Sequence, residues 1–138
     1  MTDPYSPLAA ALRAAVAHMD DAADPAWGAL TGLQRTLLSL LAEPERQDRY
    51  SLAENSHTAR SAVVPSVRSL ITRGLVREVR GTEGMSLVLT TRAWLLVDDV
   101  RLHWRQALED AAVAGEQALS PDDARLITGA LERFLRSG

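Results

Sequence analysis

The stretch that decides the fold of this chain is SLITRGLVR at residues 69–77, followed a short distance downstream by LVLT at residues 87–90. Upstream of Gly74, apolar residues recur at the helical spacing Val63, Val67, Leu70. Beyond Gly74 this period changes, and a β-like segment begins. Glycine tolerates the positive φ that follows a helix end. The sequence therefore predicts a helix that ends at Gly74 and leads directly into a strand.

A β-hairpin is predicted to follow this helix. Residues 75–80 and 85–90 have the character of two strands, joined by Gly81-Thr82-Glu83-Gly84, and two glycines in a four-residue loop favour a tight turn. Apolar residues alternate cleanly in the second strand and poorly in the first. A winged helix-turn-helix joins its recognition helix to its wing in this way, so nucleic acid is the leading candidate partner.

The preceding helices are predicted from their start signals. Ser6-Pro7 opens a first helix that is expected to end near Asp20-Asp21 and to be followed by a loop that contains Pro25. Thr31 and Gln34 form a capping-box pattern at the start of a second helix. A second box, Ser51-Leu52-Ala53-Glu54, is expected to open a short third helix, with a polar turn from residue 55 to residue 60.

Two further helices are predicted after the hairpin. The first runs from Thr91 to about Ala118 with apolar residues at helical spacing. The second begins at Ser120-Pro121-Asp122-Asp123, where the serine caps, the proline takes the first position and the two acids favour the positive helix end. The expected fold class is mainly α with a small β-hairpin wing, that is, a winged helix-turn-helix plus a helical dimerisation region.

Composition limits the classes of function. The 138 residues suit one domain or a small domain with an appended oligomerisation region. No apolar run is long enough to cross a membrane. No secretory signal is visible at the start, and cysteine is absent, which excludes disulfides, thiol nucleophiles and thiolate metal sites. The expected location is the cytoplasm.

Charge is distributed unevenly along the chain. The net charge is −3, and all 15 basic residues are arginine, for which codon bias is the simplest explanation. Five arginines nevertheless cluster around the predicted recognition helix and wing: Arg60, Arg68, Arg73, Arg77 and Arg80. A locally basic patch on an acidic protein fits a surface that faces phosphates, although a solvated charged face is the alternative interpretation.

The long helix after the hairpin predicts an assembly region. Its apolar face is too long to be covered by a compact core of about sixty residues, and the first and last helices have no obvious place in that core. A second copy related by two-fold symmetry would cover all three helices most simply. In the alternative, the three helices fold on each other in a monomer.

The order of these pieces resembles the MarR family of bacterial transcriptional regulators over nearly the whole chain. The matching residues are Leu33-Gln34 with Leu37-Leu38, Leu52-Ala53, Val67 and Leu70 with Arg73-Gly74-Leu75-Val76-Arg77, and Leu89-Thr90. The resemblance implies a single domain over residues 1–138, with a winged helix at about 31–90 and dimerisation helices at about 6–22 and 91–136. It also implies a homodimer on a near-palindromic double-stranded DNA operator, and release of DNA when a small, often phenolic, ligand binds.

Two features depart from the family pattern. The wing of typical members carries an aspartate two residues before an arginine in a longer loop, whereas this loop is Gly81-Thr82-Glu83-Gly84 and Arg80 is the nearest substitute. Typical members also have polar or basic residues where this chain has Val64 and Pro65. Proline lacks the backbone N–H and clashes with the preceding turn, so either the helix starts late with Pro65 in its first turn or the helix is kinked.

The residues predicted to bind DNA are Ser61, Ser66, Arg68, Ser69, Arg73, Arg77 and Arg80. The serines near the helix start could contact bases or phosphates, and the arginines are expected mainly to contact phosphates and to set position. Direct base readout loses donors at positions 64 and 65, while apolar groups can still meet thymine methyls. In the alternative interpretation, Arg73 and Arg77 only cap the helix end or pair with Glu78.

The sequence contains candidates for a ligand site but none for a catalytic site. The residues predicted to line a ligand cavity between the two regions are His18, Trp27, Leu30, Gln34 and Trp94, with a simple core role as the alternative for the tryptophans. The histidines lack metal-ligand spacing, and no catalytic pattern or phosphate loop is visible. We therefore expect no metal, no cofactor and no enzymatic activity.

Two hypotheses of function follow. In the first, the chain is a homodimeric repressor that leaves DNA when a small aromatic ligand binds. In the second, it is a MarR-like dimer with weak or lost DNA recognition, in which Ala62, Val64 and Pro65 form an apolar patch that contacts a protein.

Overall fold

The computed structural model describes residues 3–114 and 119–137. In this part of the chain there are six helices and one antiparallel two-stranded hairpin, which confirms the expected fold class. In chain order the elements are α1 (Tyr5–Trp27), α2 (Gly32–Leu41), α3 (Arg49–Ser56), α4 (Arg60–Thr72), β1 (Val76–Gly81), β2 (Gly84–Leu89), α5 (Thr91–Ala114) and α6 (Pro121–Arg136). No helix in the described ranges has the length and apolar character needed to cross a bilayer.

The chain divides into two compact units. Ala23–Arg101 forms the first, here called the winged-helix unit, and Met1–Ala22 with Leu102–Gly138 forms the second, here called the terminal unit. The largest fully buried side chains of the described residues all belong to the winged-helix unit: Leu37, Leu38, Leu52, Val63, Val67, Leu70, Val76 and Val100. Burial of each such side chain contributes about 1.5–3 kcal/mol to folding, so the winged-helix unit has its own hydrophobic core.

The end of α4 confirms the prediction at Gly74. Gly74 has φ +72°, and its N–H donates to the Ile71 carbonyl at 3.0 Å. The Leu75 N–H donates to the Leu70 carbonyl at 2.9 Å. These two bonds form a Schellman motif, which satisfies the last carbonyls of the helix and turns the chain toward β1.

The hairpin is attached to the helices on both of its sides. The tight hairpin is confirmed, but its loop has two residues rather than the four predicted, because Gly81 and Gly84 pair with each other as the last residues of the ladder. The Leu87 N–H donates to the Gln47 carbonyl at 2.8 Å, which bridges β2 to the connection before α3. The Thr90 hydroxyl donates to the Gly74 carbonyl at 2.7 Å and accepts from the Ala93 N–H at 3.2 Å. Thr90 therefore links the end of α4 to the start of α5.

The first helix is longer than predicted. It was expected to end near Asp20-Asp21, but α1 continues to Trp27 and contains Pro25. Ala23 and Trp27 are buried one turn apart, so core packing holds the last turns in helical form. The missing N–H of Pro25 removes only one backbone bond there. Helix α1 ends at Trp27 and is followed by Gly28, which has φ +66°.

The start of α3 was also predicted wrongly. Asp48 rather than Ser51 is the N-cap, and the Asp48 carboxylate accepts from the Ser51 N–H at 2.7 Å. The Ser51 hydroxyl accepts from the Asp48 N–H at 2.9 Å, which completes a capping box. The hydrogen bond from the Ser51 N–H favours the ionised form and lowers the pKa of Asp48 below its usual value.

The predicted recognition helix does not start late. Helix α4 begins at Arg60, and Pro65 lies inside it as the sixth residue. Because proline has no N–H, the usual helical bond to the Ser61 carbonyl is missing.

The Thr31 capping box of α2 is confirmed, and Ser120 caps α6 by accepting from the Asp123 N–H at 3.1 Å. The predicted end of the long helix near Ala118 lies outside the described residues.

Helices α1 and α6 leave apolar side chains exposed. On α6, Leu126, Phe134 and Leu135 each expose 71–72% of their surface, and none of its described residues is buried. The N-terminal part of α1 carries four exposed apolar residues at helical spacing, namely Tyr5, Leu8, Leu12 and Val16. The described residues of the terminal unit thus leave much of their apolar surface uncovered.

Candidate nucleic-acid interface

Helix α4 has one buried side and one exposed side. Val63, Val67 and Leu70 are fully buried on its inner side. The opposite side carries, in order, Ser61, Pro65, Arg68 and Thr72, and all four are exposed. Their spacing of three and four residues forms a continuous stripe along the helix. These four residues define the outer stripe of α4, which is the exposed side of this helix.

The predicted serines are placed differently from one another. Ser61 lies on the outer stripe, whereas Ser66 and Ser69 are partly buried beside it. The Ser69 hydroxyl accepts a hydrogen bond from Gln34 Nε2 at 3.2 Å. Ser69 therefore ties α4 to α2, and of the three serines Ser61 is the one that the stripe exposes.

The predicted arginines lie along a wider surface. Arg73 is the C-cap of α4, and Arg77 and Arg80 lie on β1. All three are exposed, as is Arg68. Because Arg77 and Arg80 are three residues apart on a strand, they project from opposite faces of the hairpin. The structure therefore does not place all the predicted arginines on one flat face.

The positive charge of this surface is largely unneutralised. Glu78 forms its ion pair with Arg49, so its carboxylate is engaged elsewhere than at Arg77, contrary to the alternative that paired them. In the described part of the chain, no carboxylate forms a salt bridge with Arg68, Arg77 or Arg80. These guanidinium groups remain available for phosphates, which arginine binds bidentately.

One pair of candidate residues was missed in the sequence. Tyr50, at the start of α3, is 55% exposed, and the Arg60 guanidinium lies over its ring at 4.9 Å from the centroid. This cation–π contact joins the starts of α3 and α4. Arg60 was part of the predicted basic cluster, but only the tertiary structure shows that Tyr50 accompanies it.

A pocket of about 570 Å³ opens in the winged-helix unit, at the end of α4 and the start of α5. Its apolar wall consists of Trp27, Ala29, Leu30, Leu75 and Leu96, and its polar part of Thr72, Arg73 and Arg92. Arg92 Nη1 donates to the Arg73 carbonyl at 3.2 Å. This hydrogen bond holds the Arg92 guanidinium beside the Arg73 backbone. The described lining residues include two arginines and no carboxylate, so the pocket suits an anion that has an apolar body.

The structure brings together only part of the predicted ligand site. Trp27 and Leu30 line the pocket. Gln34 does not, because its amide oxygen accepts from the Thr31 N–H and its Nε2 donates to Ser69. Trp94 is 39% exposed at the start of α5 outside the lining, and the exposed His18 belongs to the terminal unit. In the described ranges, no three potential ligands are grouped so as to hold a metal ion.

Comparisons with known proteins identify the fold. No profile of a protein family matches the chain, and no curated protein is significantly similar to it. Among solved structures, a MarR family protein from Bacillus stearothermophilus superposes with a TM-score of 0.75 at 17% identity, over 96% of this chain and 94% of that one. The protein RV1404 of Mycobacterium tuberculosis has a TM-score of 0.72 at 20% identity, over 97% and 91%.

A third similar structure belongs to a protein whose DNA binding is regulated by a small molecule. It is the Bordetella bronchiseptica protein BpsR, with a TM-score of 0.62 at 16% identity, over 96% of this chain and 92% of that one. Its DNA binding is regulated by 6-hydroxynicotinic acid. The structural similarity extends over almost the whole length of each protein and agrees with the resemblance drawn from the sequence. This chain has the winged-helix fold of the MarR family transcriptional regulators.

Proposed function

We propose that this protein is a cytoplasmic, DNA-binding transcriptional repressor that acts as a homodimer and is released from its operator by a small aromatic acid. The observation that carries the proposal is the outer stripe of α4, which is exposed and carries Arg68 in a fold shared with transcriptional regulators. The proposed division of labour is a winged helix at about residues 31–90 and dimerisation helices at about 6–22 and 91–136.

The basic residues support binding to the DNA backbone. Arg68 on the outer stripe, Arg77 on β1 and Arg80 near the wing turn are exposed and free of salt bridges to the described carboxylates. Phosphate contacts of this kind position a protein on DNA and make binding strongly dependent on salt. Ser61 is the predicted serine best exposed for a contact to bases or phosphates.

The exposed apolar residues support a homodimer. Leu126 and Phe134 on α6 expose 72% of their surface, and Tyr5 on α1 exposes 76%. Apolar surface of this extent on amphipathic helices favours a protein partner. A second copy offers the same complementary faces, and the resulting two-fold symmetry would place two recognition helices on the half-sites of a near-palindromic operator.

The pocket supports an aromatic acid as the ligand. Trp27 offers an apolar ring face, and Arg73 and Arg92 offer charge for a carboxylate. BpsR, whose DNA binding is regulated by such an acid, shares the fold. Arg73 belongs both to the pocket and to the set proposed to contact phosphate, so a carboxylate bound there would compete with DNA for the same guanidinium. This competition would explain release of DNA on ligand binding.

A gel-shift titration against the DNA upstream of the protein's own gene tests DNA binding. We expect a complex at about 50 mM salt that weakens by orders of magnitude at about 200 mM. Arg68→Ala is expected to weaken it at every salt concentration, whereas Arg105→Ala, which removes the same charge in the terminal unit, leaves it nearly unchanged. Absence of any complex at low salt would contradict the proposal.

Calorimetric titration with 6-hydroxynicotinic acid and with benzoate tests the pocket, and uncharged benzamide is the control ligand. We expect the acids to bind and the amide to bind much more weakly, because only a carboxylate pairs with the arginines. Arg92→Ala should weaken acid binding while leaving DNA affinity nearly intact, whereas Arg73→Ala should weaken both. Equal binding of acid and amide would argue against the assigned ligand class.

A second function is favoured by one observation. Ala62 and Val64 are partly buried and Pro65 is exposed on α4, so this helix presents apolar groups where a protein could dock. In that case the chain would be a dimeric protein-interaction module with weak or lost DNA recognition. A stable dimer that forms no complex with DNA at low salt would favour this alternative.

A further inference from the structure

The centre of the outer stripe of α4 is apolar. Pro65 lies between Ser61 and Arg68 on this stripe and is exposed, and Val64 beside it is partly exposed. Neither side chain can donate or accept a hydrogen bond. The exposed side of α4 therefore has a small apolar centre with an arginine next to it.

Stability does not explain the proline at this position. Inside a helix, proline removes a backbone hydrogen bond and its ring clashes with the carbonyl of the preceding turn. An exposed ring recovers little of that loss, because it buries little apolar surface. A residue that destabilises its own helix in this way is expected where the surface of the helix has a function.

The charges around this apolar centre select nucleic acid as its occupant. Arg68 lies one turn beyond Pro65, and Arg60 lies at the helix start over Tyr50. No carboxylate in the described ranges forms a salt bridge with either arginine. Two cations near a short apolar centre complement phosphates on either side of a groove rather than a purely apolar protein surface.

We propose that Val64 and Pro65 read thymine methyl groups in the major groove. This inference rests on the proposed DNA-binding function. It adds which side chains recognise the base sequence of the DNA. Thymine is the base whose major-groove edge presents a methyl group. Adenine and cytosine present amino groups there, and an apolar side chain would desolvate those donors without pairing them. The two residues thus favour thymine and disfavour bases with an amino group at that position.

The test starts from a selection of tight binders out of a randomised duplex library, using the full-length protein. The selected duplexes are expected to share thymines at fixed positions in each half-site. Each such thymine is then replaced by deoxyuridine, which lacks only the methyl group. We expect about fourfold weaker binding for each contacted methyl removed, and no change at thymines outside the half-sites.

A variant then assigns the methyl contact to α4. Val64→Ala is expected to weaken binding of the thymine duplex about fourfold and to leave binding of the deoxyuridine duplex unchanged. Ser61→Ala, on the same helix, should change the affinity for both duplexes by the same factor, because its hydroxyl does not depend on the methyl. Circular dichroism of each variant verifies that α4 is folded.

The outcomes separate this inference from the function on which it rests. Tight, salt-dependent binding with equal affinity for thymine and deoxyuridine duplexes would overturn the methyl readout and leave DNA binding intact. A methyl dependence that persists unchanged in both Val64→Ala and Pro65→Ala would also overturn it. No binding to any duplex at low salt would overturn both.

Discussion

In the winged-helix unit, helices α2 to α4 and the hairpin bury their apolar side chains against one another, so that Leu37, Leu52 and Leu70 have no exposed surface. In the terminal unit, by contrast, Phe134 and Leu135 expose more than two thirds of theirs. Both regions contain helices with one apolar face. Among the described residues, the apolar side chains of the first region cover one another, whereas many of those in the second region stay exposed.

This contrast separates two physical roles. A unit with its own core holds the outer stripe of α4 in a defined position without help from another chain. A unit with exposed apolar faces gains its stability when those faces are covered, and about 25 cal/mol per Å² of apolar surface is then recovered. The first role suits recognition, and the second suits assembly.

The largest expected effect concerns assembly. The double variant Leu126→Glu with Phe134→Glu removes two exposed apolar groups from the proposed dimer face of α6 and replaces them with charges. Each such group contributes about 1.5–3 kcal/mol when buried, so we expect dimer affinity to fall by about 100-fold or more. Sedimentation equilibrium at micromolar concentration measures it.

Glu132→Gln is the control for this experiment, because it changes the charge of an exposed residue on the same helix and should leave the dimer intact. A wild-type protein that sediments as a monomer would contradict the assembly role of the terminal unit directly.

The next effect concerns the core of the winged-helix unit. Leu70→Ala leaves a cavity at a fully buried position and is expected to cost about 2–5 kcal/mol of unfolding free energy. Leu126→Ala, which removes the same atoms from an exposed position, should cost far less in a monomeric background. Urea unfolding of the two variants compares them, and equal losses would mean that the two units do not differ in burial.

A gain in stability is expected on the outer stripe. Pro65→Ala restores the N–H that can bond to the Ser61 carbonyl and removes the ring clash, so the unfolding free energy should rise by about 1–3 kcal/mol. Pro121→Ala is the control, because proline is well tolerated at the start of α6. A loss of stability in Pro65→Ala would show that the proline is built into the packing of α4.

The smallest effect concerns the cap of α3 and its dependence on pH. Asp48→Ala should cost about 1 kcal/mol at pH 7, because the Ser51 N–H loses its acceptor. The pKa of Asp48 is lowered in the folded state. Its contribution is therefore complete above the unfolded-state pKa of about 3.9 and disappears as the pH falls through the lower folded-state pKa.

Urea unfolding at pH 7 and at acid pH measures this dependence, and the difference between wild type and Asp48→Ala should shrink below about pH 4. Asp48→Asn keeps a cap that does not titrate, so its stability at pH 7 should stay close to that of the wild type. A difference between wild type and Asp48→Ala that is constant with pH would show that the carboxylate charge contributes nothing.

Much of the fold could be predicted from the sequence, because the signals act over a few residues. Gly74, the capping box at Thr31 and the cap at Ser120 each depend on backbone groups within one helical turn, and all three were confirmed. The predictions failed where packing overrode local signals. Pro25 was expected to lie in a loop, but buried Trp27 keeps its turn helical.

The candidate site was less predictable than the fold. Gln34 and Ser69 were assigned to different sites, yet they hydrogen-bond to each other across 35 positions of sequence. Pairing of Arg49 with Glu78 likewise joins α3 to β1. No periodicity reports such contacts, since they depend on how the elements pack. The roles of the individual DNA and ligand residues stay predictions until the binding experiments are made.

By itself, the sequence determined the order of the helices, the hairpin and the stop at Gly74, because caps, turns and apolar periods are properties of neighbouring residues. Only the tertiary structure decided which side chains are exposed. It turned Arg68 and Pro65 outward and Ser69 inward, placed Arg92 beside Arg73, and left the apolar face of α6 uncovered. Burial and pairing depend on residues far apart in the chain, and they define the surfaces that we propose for binding DNA, a ligand and a second copy.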